Sequence, residues 1–393
     1  MLRVLTLSTL FPDATRPNFG VFVERQTLGL AAHPAVEVRV VVPVGLPPFP
    51  LSLGKRHRAL AALPTAERWK GLAVTRPRFL AVPATSGRFN AGLLARALRP
   101  HLAAMRRTFA FDVIDAEFFF PDGPAAISLG EALGVPVSIK ARGADIHHWG
   151  TQPATAHQVA AAGRAADGVL AVSEALRADI AALGVDASKV RVHRTGVDLA
   201  RFAPGDRVGL KAARGVDGPL VVAVGALIPR KGHDIVIDAV AALPGVHLHI
   251  AGEGPERSRL AGQIARLGIG DRVRLLGPVA HDALPALYAA ADVMALASSS
   301  EGLANAWVEA LACGTPIVIT GAGGAHELVD RVEAGRIVAR DPQAFAGAIA
   351  ELLAQPPAQA EVRKTAERYT WEANSDALYA HLSEIVARRQ SSG

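Results

Sequence analysis

Cysteine, aromatic residues and long apolar runs are all scarce in this sequence of 393 residues. It contains one cysteine, Cys313, and its aromatic residues amount to 5%. A single thiol cannot form an internal disulfide or by itself build a zinc site, so oxidised secreted scaffolds and zinc fingers are excluded. No uncharged apolar run reaches 18 residues, so we expect no transmembrane helix. These absences favour a cytoplasmic protein.

The remaining composition is that of a globular chain. Half of all residues are hydrophobic and 20% are charged, which excludes disordered and coiled-coil classes. The opening run MLRVLTLSTLF is apolar, but no small-residue cleavage site follows it. We therefore expect a first strand rather than a signal peptide. The length favours two large domains.

Acidic residues are almost missing between residues 51 and 110, where Glu67 stands alone against 12 lysines and arginines. Residues 1–196 carry 23 basic and 14 acidic side chains, a net charge of +9, whereas the remainder carries −3. Such a field favours an anionic partner, although a solvated face is an equally good interpretation. No nucleic-acid-binding motif accompanies the charge, so nucleic acid is not an expected partner.

Short apolar runs alternate with Ala- and Leu-rich amphipathic stretches along the chain. This alternation predicts helices packed on parallel sheets, arranged as two doubly wound units. Gly, Pro and Asp concentrate near residues 196–218, where we expect the domain boundary. The predicted strands are Arg3–Thr9, Val36–Val42, Val74–Phe79, Val113–Ala116, Val135–Lys140, Gly168–Val172, Leu220–Gly225, His247–Ala251, Val273–Leu276, Val293–Leu296 and Pro316–Thr320.

Two carboxylates with seven residues between them mark the segment 299–316. Glu301 falls in a loop after a predicted strand, and Glu309 falls in the following helix. Gly302 and the amides after it supply unpaired donors at a helix N-terminus, which is a ready anion site. The carboxylates are suited to hydrogen-bonding the hydroxyls of a sugar or ribose. Taken alone, each glutamate is more often a surface or capping residue.

Two adjacent cations follow the first predicted strand of the second half. Arg230 and Lys231 lie in a loop that starts at Gly225. A guanidinium fork beside a compact ammonium suits a diphosphate. The alternative is a pair of solvated cations before a helix, and the functional interpretation depends on the Glu301 loop facing the same cleft.

The order of the motifs resembles glycosyltransferase family 4, a large family of retaining GT-B enzymes, and the match spans nearly the whole chain. In the second half the motifs are Arg230-Lys231-Gly232, Ala251-Gly252-Glu253-Gly254-Pro255, Gly277-Pro278-Val279, Glu301 to Glu309 with Cys313-Gly-Thr-Pro, and Gly323-Gly324 with Glu327. In the first half PNFGVFVERQ at 17–26, DAEFFFPDG at 115–123, ARGADI at 141–146 and VSEAL at 172–176 are similar to exopolysaccharide and cell-wall members.

The resemblance implies an α/β GT-B fold of two facing Rossmann-like domains. Residues 1–196 would form the acceptor-side domain and residues 197–370 the nucleotide-sugar-binding domain. Residues 371–393 would form a C-terminal helix that crosses back to the first domain. The implied reaction transfers a sugar from a nucleotide diphosphate donor, a UDP- or GDP-sugar, with retained configuration. No other cofactor and no divalent metal is expected, and no aspartate-x-aspartate motif is evident.

The resemblance also implies roles for individual residues. Arg230 and Lys231 grip the diphosphate, Glu309 binds the ribose hydroxyls, and Glu301 positions hydroxyls of the donor sugar. The remaining donor contacts are implied for Gly20, Arg142, Gly225, Pro278, Val279, Gly302, Leu303, Ala304 and Asn305, with the backbone at Pro278 and Val279 meeting the base. Domain closure is expected to bring Gly20, Glu117 and Arg142 toward the donor. For Gly20 an ordinary turn glycine is an equally good interpretation.

Glu117 departs from the family pattern, in which this position is usually a histidine that reaches the donor sugar and phosphate. A carboxylate beside phosphates should weaken binding unless it is protonated or turned toward the acceptor. Three readings remain open: Glu117 is a catalytic base or hydroxyl ligand, it weakens the enzyme, or it occupies a surface position.

Two rival functions follow from the same residues. A nucleotide-sugar epimerase of this architecture would need no acceptor, and a catalytically silent sugar-nucleotide-binding homologue would explain Glu117. The basic stretch 51–110 favours an anionic or lipid-linked glycan acceptor and a peripheral contact with the inner membrane surface. Within it, the amphipathic run Phe89–Phe109 fits either a membrane-surface helix or, better, a core-facing one.

Overall fold

The computed structural model describes residues 1–391, and these residues divide into two compact units. The first unit contains Met1–Arg194 and the C-terminal segment that begins at Trp371, and the second contains Thr195–Thr370. The chain therefore leaves the first unit and later returns to it.

An eight-stranded sheet forms the centre of the first unit. Its order is β10-β9-β8-β7-β1-β2-β5-β4, and every pair is parallel except β4 with β5. β3 and β6 form a separate parallel pair. The strands are β1 (Leu2–Leu7), β2 (Val36–Val41), β3 (Val44–Leu46), β4 (Ala66–Trp69), β5 (Leu72–Thr75), β6 (Arg78–Leu80), β7 (Val113–Ala116), β8 (Val137–Ala141), β9 (Gly168–Ala171) and β10 (Val190–Val192).

Helices connect these strands, as parallel pairing requires. They are α1 (Val21–Ala32), α2 (Lys55–Ala61), α3 (Asn90–Arg106), α4 (Asp122–Leu133), α5 (Ala156–Ala165) and α6 (Glu174–Ala182), with short 3₁₀ turns at Leu51–Leu53 and Ala187–Lys189 and a π-helical turn at Asp145–Trp149. The central strands β7, β8 and β9 are buried along their whole length, which fits a sheet covered on both faces.

A six-stranded, fully parallel sheet forms the centre of the second unit. Its order is β13-β12-β11-β14-β15-β16, the order of a dinucleotide-binding Rossmann sheet. The strands are β11 (Leu220–Val224), β12 (His247–Ala251), β13 (Val273–Gly277), β14 (Val293–Leu296), β15 (Ile317–Thr320) and β16 (Gly335–Val338). The helices are α7 (Arg207–Ala212), α8 (His233–Ala241), α9 (Arg257–Leu267), α10 (Leu284–Ala290), α11 (Asn305–Ala312), α12 (Ala325–Leu328), α13 (Pro342–Ala354) and α14 (Gln359–Lys364), with 3₁₀ turns at Pro229–Lys231 and His281–Ala283.

The last helix, α15 (Trp371–Ser391), packs in the first unit. Its buried Leu378 and Leu382 join a cluster with Val4, Leu30 and Leu170. The ring of His381 in the same helix lies 3.1 Å from Ser138 Oγ on β8. The C-terminal helix is thus part of the core of the first unit.

One predicted strand is wrong. Val74–Phe79 is not continuous: β5 ends at Thr75, and β6 starts at Arg78 and pairs with β3 instead of β2. Pro77 lies between the two strands and has no N–H to offer a ladder. The predicted strand runs across Pro77 because the β-branched and aromatic residues on both sides of it favour strands.

The amphipathic run Phe89–Phe109 is a core-facing helix. In α3 the residues Ala91, Leu94, Leu98 and Leu102 are buried, so its apolar face is already covered by the first unit. The alternative of a membrane-surface helix here is wrong. No helix within residues 1–391 combines the length and apolarity that a membrane span needs.

The strand order reverses at one point in each sheet. In the first unit the reversal lies between β1 and β7, and in the second it lies between β11 and β14. Ligands of open α/β sheets bind outside the carboxyl ends of strands at such points. The loops after these four strands are therefore the places to look for function.

Truncating Leu382 tests how far the first unit depends on its C-terminal helix. Leu382 is fully buried, so Leu382→Ala should lower the free energy of unfolding by about 2–5 kcal/mol, because it leaves a cavity. Urea denaturation followed by circular dichroism measures this, with exposed Gln390→Ala on the same helix as the matched control. Equal urea midpoints for Leu382→Ala and Gln390→Ala would contradict the packing of Leu382 in the core of the first unit.

Candidate functional site

Two cations and a carboxylate meet at the reversal point of the second unit. Lys231, which follows β11, places Nζ 2.5 Å from Oε1 of Glu301, which follows β14. Arg230 Nη1 lies 3.4 Å from Oε2 of the same carboxylate. The side chain of Arg230 is 35% exposed, whereas those of Lys231 and Glu301 are 14% and 8% exposed. Arg230 is thus the most accessible of the three charges.

The loops that carry these charges are joined through their backbones. The amide of Ser299 donates to the carbonyl of Arg230 at 2.8 Å, and the Arg230 guanidinium donates to the carbonyl of Ser300. Gly232 adopts a positive φ of 64°, and a side chain there would collide with the carbonyl of Ala297. Glycine therefore permits the close approach of the two loops.

The ionisation of Glu301 follows from its neighbours. Burial alone would raise the pKa of this carboxyl, but Lys231 and then Arg230 act in the opposite direction and hold the pKa below its usual value. An opposite charge within a few ångström favours the ionised form. Glu301 is therefore a carboxylate at neutral pH.

The N-terminus of α11 directly follows Glu301. Its N-cap residue is Ala304, and no side chain caps the helix, so its first amides have no side-chain acceptor. Gly302 and Leu303 are buried, whereas Ala304 and Asn305 are partly exposed. The amide of Gly324 donates to the carbonyl of Gly302 at 2.7 Å. The Gly323-Gly324 motif thus holds this turn, and the helix end remains a site for an anion.

Glu309 lies one turn further along α11 and is held by two side chains. His281 Nε2 lies 2.9 Å from Glu309 Oε1, and the hydroxyl of Tyr288 donates to Oε2 at 3.3 Å. Burial and then the nearby Glu309 raise the pKa of Tyr288 well above its usual value, so this phenol remains a donor. The side chain of Glu309 is 13% exposed. The carboxylate is therefore oriented before any ligand arrives.

The loop after β13 brings the predicted base contacts to this helix. Pro278 is exposed and Val279 is partly exposed, and both come just before His281, which contacts Glu309. On the other side, a Cβ built on Gly225 would lie 3.6 Å from Cδ of Lys231. The predicted residues of the second unit thus lie in two neighbourhoods, one near Lys231 and one in the chain segments that carry Glu309 and its partner His281.

In the first unit, Glu117 and Arg142 form a buried ion pair. The Arg142 guanidinium donates to the Glu117 carboxylate and also, at 2.8 Å, to the Glu117 carbonyl. Gln26 on α1 donates its amide to the other carboxylate oxygen. Glu117 is 1% exposed, so the reading of it as a surface residue is wrong. Its carboxylate serves as the counter-ion of Arg142.

A second buried cation extends this group. Lys140 Nζ lies 2.6 Å from His193 Nδ1 and donates to the amide oxygen of Gln26. His193 Nε2 lies 2.8 Å from the Asn374 carbonyl, which can only accept, so Nε2 carries the proton and Nδ1 accepts from Lys140. Burial lowers the pKa of Lys140 to about 7. Lys140, Gln26 and His193 are not among the predicted site residues.

The sequence signal for this group of buried charges is a pair of charged residues, two positions apart, at the end of each of two neighbouring strands. Asp115 and Glu117 are two residues apart at the end of β7, and Lys140 and Arg142 are two residues apart at the end of β8. Side chains two residues apart lie on the same face of a sheet. Burial and then the nearby Glu117 raise the pKa of Asp115 well above its usual range.

Gly20 is required by the backbone. It adopts φ 71° and ψ 26° immediately before α1, and a Cβ built there would lie 2.6 Å from the carbonyl oxygen of Leu10. Its helix carries Gln26 to Glu117, so Gly20 affects the buried charges indirectly. Its proposed contact with phosphates stays a prediction.

The predicted site residues are thus divided between the units. Gly20, Glu117 and Arg142 belong to the first unit, and the others belong to the second. Within residues 1–391, no three histidine, cysteine, aspartate or glutamate side chains are grouped in a way that could hold a metal ion.

Family models match both halves of the chain. A model of the group 1 glycosyl transferases matches residues 211–369, and a model of glycosyltransferase family 4 matches residues 23–201. The chain belongs to this glycosyltransferase family. The predicted family is therefore confirmed.

Two curated relatives illustrate the similarity. The chain is 39% identical over 223 residues to the D-inositol 3-phosphate glycosyltransferase of Mycolicibacterium vanbaalenii, covering 51% of this chain and 49% of that protein. It is 39% identical over 229 residues to the enzyme of the same name from Mycobacterium tuberculosis, covering 53% and 48%. The match thus spans about half the length of these relatives.

Solved structures resemble this chain over almost its full length. Sucrose-phosphate synthase from Thermosynechococcus elongatus has a TM-score of 0.81 at 21% identity and covers 99% of this chain and 100% of that one. HepE from Anabaena, in complex with UDP and glucose, has a TM-score of 0.75 at 22% identity and covers 98% and 100%. At these identities the likeness shows the fold, and the predicted GT-B fold class is confirmed.

Removing one partner of the Glu117–Arg142 pair should destabilise the first unit. Glu117→Gln leaves the buried Arg142 without its counter-ion, and the expected loss of unfolding free energy is about 3–5 kcal/mol. Arg142→Gln should cost a similar amount, and the double variant should cost less than the sum of the two. Urea denaturation of all four proteins gives the coupling energy. Additive losses would show that the two side chains do not interact.

The stability contributed by Glu301 should depend on pH. Because its folded pKa is below that of an isolated glutamate, the contribution is present above the unfolded pKa and is lost as the pH falls through the folded pKa. The difference in unfolding free energy between wild type and Glu301→Gln should therefore shrink as the pH falls from about 6 to about 3. Glu367→Gln, at an exposed position in the same unit, is the matched control. A constant difference for Glu301→Gln would refute the ion pair with Lys231.

Proposed function

We propose that this glycosyltransferase moves a sugar from a nucleoside diphosphate donor to a glycan or lipid-linked acceptor, with retention of the anomeric configuration. The observation that carries the proposal is the group of Arg230, Lys231 and Glu301 at the reversal point of the second sheet, beside the uncapped end of α11. Cations and helix amides converge there on a space suited to a diphosphate.

The cations stabilise the negative charge of the departing diphosphate. As the bond between the anomeric carbon and the phosphate oxygen breaks, negative charge grows on the leaving oxygen. Arg230, Lys231 and the first amides of α11 are fixed donors for that charge, so they stabilise the transition state more than the ground state.

Glu301 has a role that changes when the donor binds. In the free protein its carboxylate neutralises Lys231 and Arg230. A diphosphate brings its own negative charge to the same cations and replaces this carboxylate as their counter-ion. Glu301 is then available to accept hydrogen bonds from hydroxyls of the donor sugar.

Glu309 and the loop after β13 hold the nucleoside. Two donors, His281 and Tyr288, orient the Glu309 carboxylate, which suits it to bind a pair of ribose hydroxyls. The backbone at Pro278 and Val279 meets the base. Among the solved structures of similar fold, HepE binds UDP and UDP-glucose, which supports UDP as the nucleotide, with GDP as the other candidate.

Retention without a protein nucleophile fits the charges of the first unit. The departing phosphate deprotonates the acceptor hydroxyl on the same face of the sugar, and the proton passes from that hydroxyl to the phosphate oxygen. Glu117 is paired with Arg142 and Gln26, so it supports Arg142 instead of acting as a nucleophile. Arg142 then meets an anionic group of the bound substrates, and no divalent metal takes part.

The acceptor is proposed to be anionic or lipid-linked. The net charge of +9 over residues 1–196 favours such a partner. The similar enzymes from mycobacteria are named for a phosphorylated inositol, which supports a phosphate-bearing acceptor. A peripheral contact of residues 51–110 with the inner membrane surface belongs to the same proposal.

Two alternatives make different predictions for one experiment. An epimerase would change the sugar of the donor without an acceptor, and a silent binding protein would bind nucleotide with neither transfer nor hydrolysis. Incubation with UDP-glucose or a GDP-sugar, followed by NMR of the sugar and its anomeric proton, separates the three. Transfer or hydrolysis with a retained anomer supports our proposal, and an inverted product contradicts it.

Lys231→Ala and Glu301→Gln should shift nucleotide affinity in opposite directions. Loss of the Lys231 ammonium should weaken binding of the nucleoside diphosphate roughly 10- to 100-fold, because a charge-assisted hydrogen bond is lost. Glu301→Gln should tighten binding of UDP or GDP, because it removes the competing carboxylate, while transfer from the sugar nucleotide falls. Calorimetry measures both, with exposed Arg266→Ala as the control. Weaker UDP binding by Glu301→Gln would contradict the exchange of counter-ions.

Glu117→His tests the function of the altered position. The imidazole cannot neutralise Arg142, so we expect lower transfer activity and a lower melting temperature. Glu117→Asp, which keeps the charge, should retain more of both. Activity above wild type in the histidine variant would show instead that Glu117 weakens a family site.

A further inference from the structure

Three apolar side chains are exposed to solvent on one short segment of the first unit. Phe49, Leu51 and Leu53 are 79%, 56% and 53% exposed. Ten large hydrophobic residues are exposed in this way among residues 1–391, and three of them fall within these five positions. We call the segment from Phe49 to Arg58 the apolar-basic segment.

The apolar-basic segment has a defined conformation. It begins three residues after β3 and contains the 3₁₀ turn Leu51–Leu53 and the start of α2. The His57 ring lies 3.0 Å from the Leu51 carbonyl, which ties the helix to the turn. Leu60 in α2 is buried against Val44. The exposed leucines therefore belong to a packed structure whose inner face is already satisfied.

The charge next to these side chains is of one sign. Lys55, Arg56 and Arg58 follow at once, and all three are exposed. No acidic residue occurs between Glu37 and Glu67. Apolar side chains and unopposed cations thus share one surface, which is uncommon on a soluble protein face.

The alternatives within the basic stretch do not offer this combination. In α3 the apolar side chains Leu94, Leu98 and Leu102 are buried, so its arginines accompany no exposed apolar face. Leu80 and Phe89 are 45% and 52% exposed, but each is a single exposed apolar side chain. The segment that starts at Phe49 is therefore where several exposed apolar side chains adjoin several cations. Phe49 precedes residue 51, so a range defined by charge alone does not include it.

We infer that the apolar-basic segment docks on a bilayer that contains anionic phospholipids. Phe49, Leu51 and Leu53 insert at the level of the glycerol backbone, where apolar side chains leave water. Lys55, Arg56 and Arg58 contact the headgroup phosphates, whose negative potential attracts them. Pro48 and Pro50 flank Phe49, and their fixed φ angles limit the conformational entropy that insertion costs. Nucleic acid would gain nothing from the two leucines.

The location of the segment agrees with the proposed function, on whose lipid-linked acceptor this inference rests. The chain leaves the first sheet at the carboxyl end of β2 and reaches the segment through β3, which pairs separately with β6. The loops of Gly20 and Glu117 leave the same edge after β1 and β7. An acceptor anchored in the bilayer would therefore be presented at that edge.

Vesicle binding by the full chain tests the inference without nucleotide or acceptor. The probe is a vesicle of phosphatidylcholine with about 30% phosphatidylglycerol, compared with phosphatidylcholine alone. We expect cosedimentation with the anionic vesicles and little with the neutral ones. Lys55→Gln/Arg56→Gln/Arg58→Gln should weaken binding about fivefold per cation, or roughly 100-fold in all. Phe49→Ser/Leu51→Ser/Leu53→Ser should weaken it roughly tenfold or more.

Matched variants control for charge and for apolar surface. Arg96→Gln/Arg99→Gln/Arg107→Gln removes three exposed cations from the same unit and should bind nearly as wild type. Val208→Ser/Val332→Ser removes two exposed apolar side chains, 76% and 70% exposed, from the second unit and should have no effect.

A single tryptophan reports insertion directly. In Phe49→Trp the added emission should shift to the blue with anionic vesicles and should be quenched by brominated lipid. No shift, or equal binding by the serine triple variant, overturns the insertion. Equal binding to neutral vesicles overturns the role of the cations. Self-association that the serine variant abolishes, without vesicle binding, identifies a second copy as the occupant and overturns the inference.

Vesicle binding and nucleotide binding are separate measurements, so the membrane inference and the proposed function can fail independently. All variants of the apolar-basic segment should keep the thermal stabilisation that UDP or GDP gives to wild type. If vesicles do not bind but this stabilisation remains, the membrane inference fails alone. If vesicles bind and no nucleotide stabilises the protein, the proposed function fails alone.

Discussion

A cation at the buried edge of a parallel sheet needs an anion beside it, and this requirement shapes both candidate sites. In the second unit Glu301 neutralises Lys231 and Arg230, and in the first unit Glu117 neutralises Arg142. An unpaired charge at either position would cost several kcal/mol. The two pairs differ in accessibility, since Arg230 is partly exposed and Glu117 is fully enclosed. The charges of the second unit are therefore accessible to a ligand, whereas the carboxylate of the pair in the first unit is enclosed by protein.

Much of the fold follows from local sequence. A buried parallel strand is a short continuous apolar run, and turn residues lie at both of its ends. β7, β12 and β14 begin and end where the sequence predicts. Pro77 is a local signal for the break between β5 and β6, but the different partners of the two strands, β2 and β3, cannot be read from local sequence. The edge strands β10 and β16 escaped prediction because they are short and carry charged residues such as Arg191 and Arg336.

The candidate site, like the fold, could be predicted only where the signal lies within one local stretch of sequence. Glu301, Glu309, Arg230 and Lys231 could be proposed from motif order, because each motif lies in one loop or at one helix end. Their partners His281 and Tyr288 could not, since these contacts join positions 28 and 21 residues apart. The partnership of Glu117 with Arg142 also requires knowing that β7 and β8 are neighbours. A substitution that looks like a loss in the sequence is balanced by a cation on the next strand.

The return of the chain to the first unit affects the order in which the protein can be made. Lys140 contacts His193, and His193 in turn contacts the carbonyl of Asn374 in α15. Asn374 is synthesised only after the whole second unit has been translated. The second unit is one uninterrupted stretch, whereas the buried charges of the first unit must wait for the last helix. Until then Lys140 and its neighbours are hydrated, so the half that is translated first is the half that is completed last.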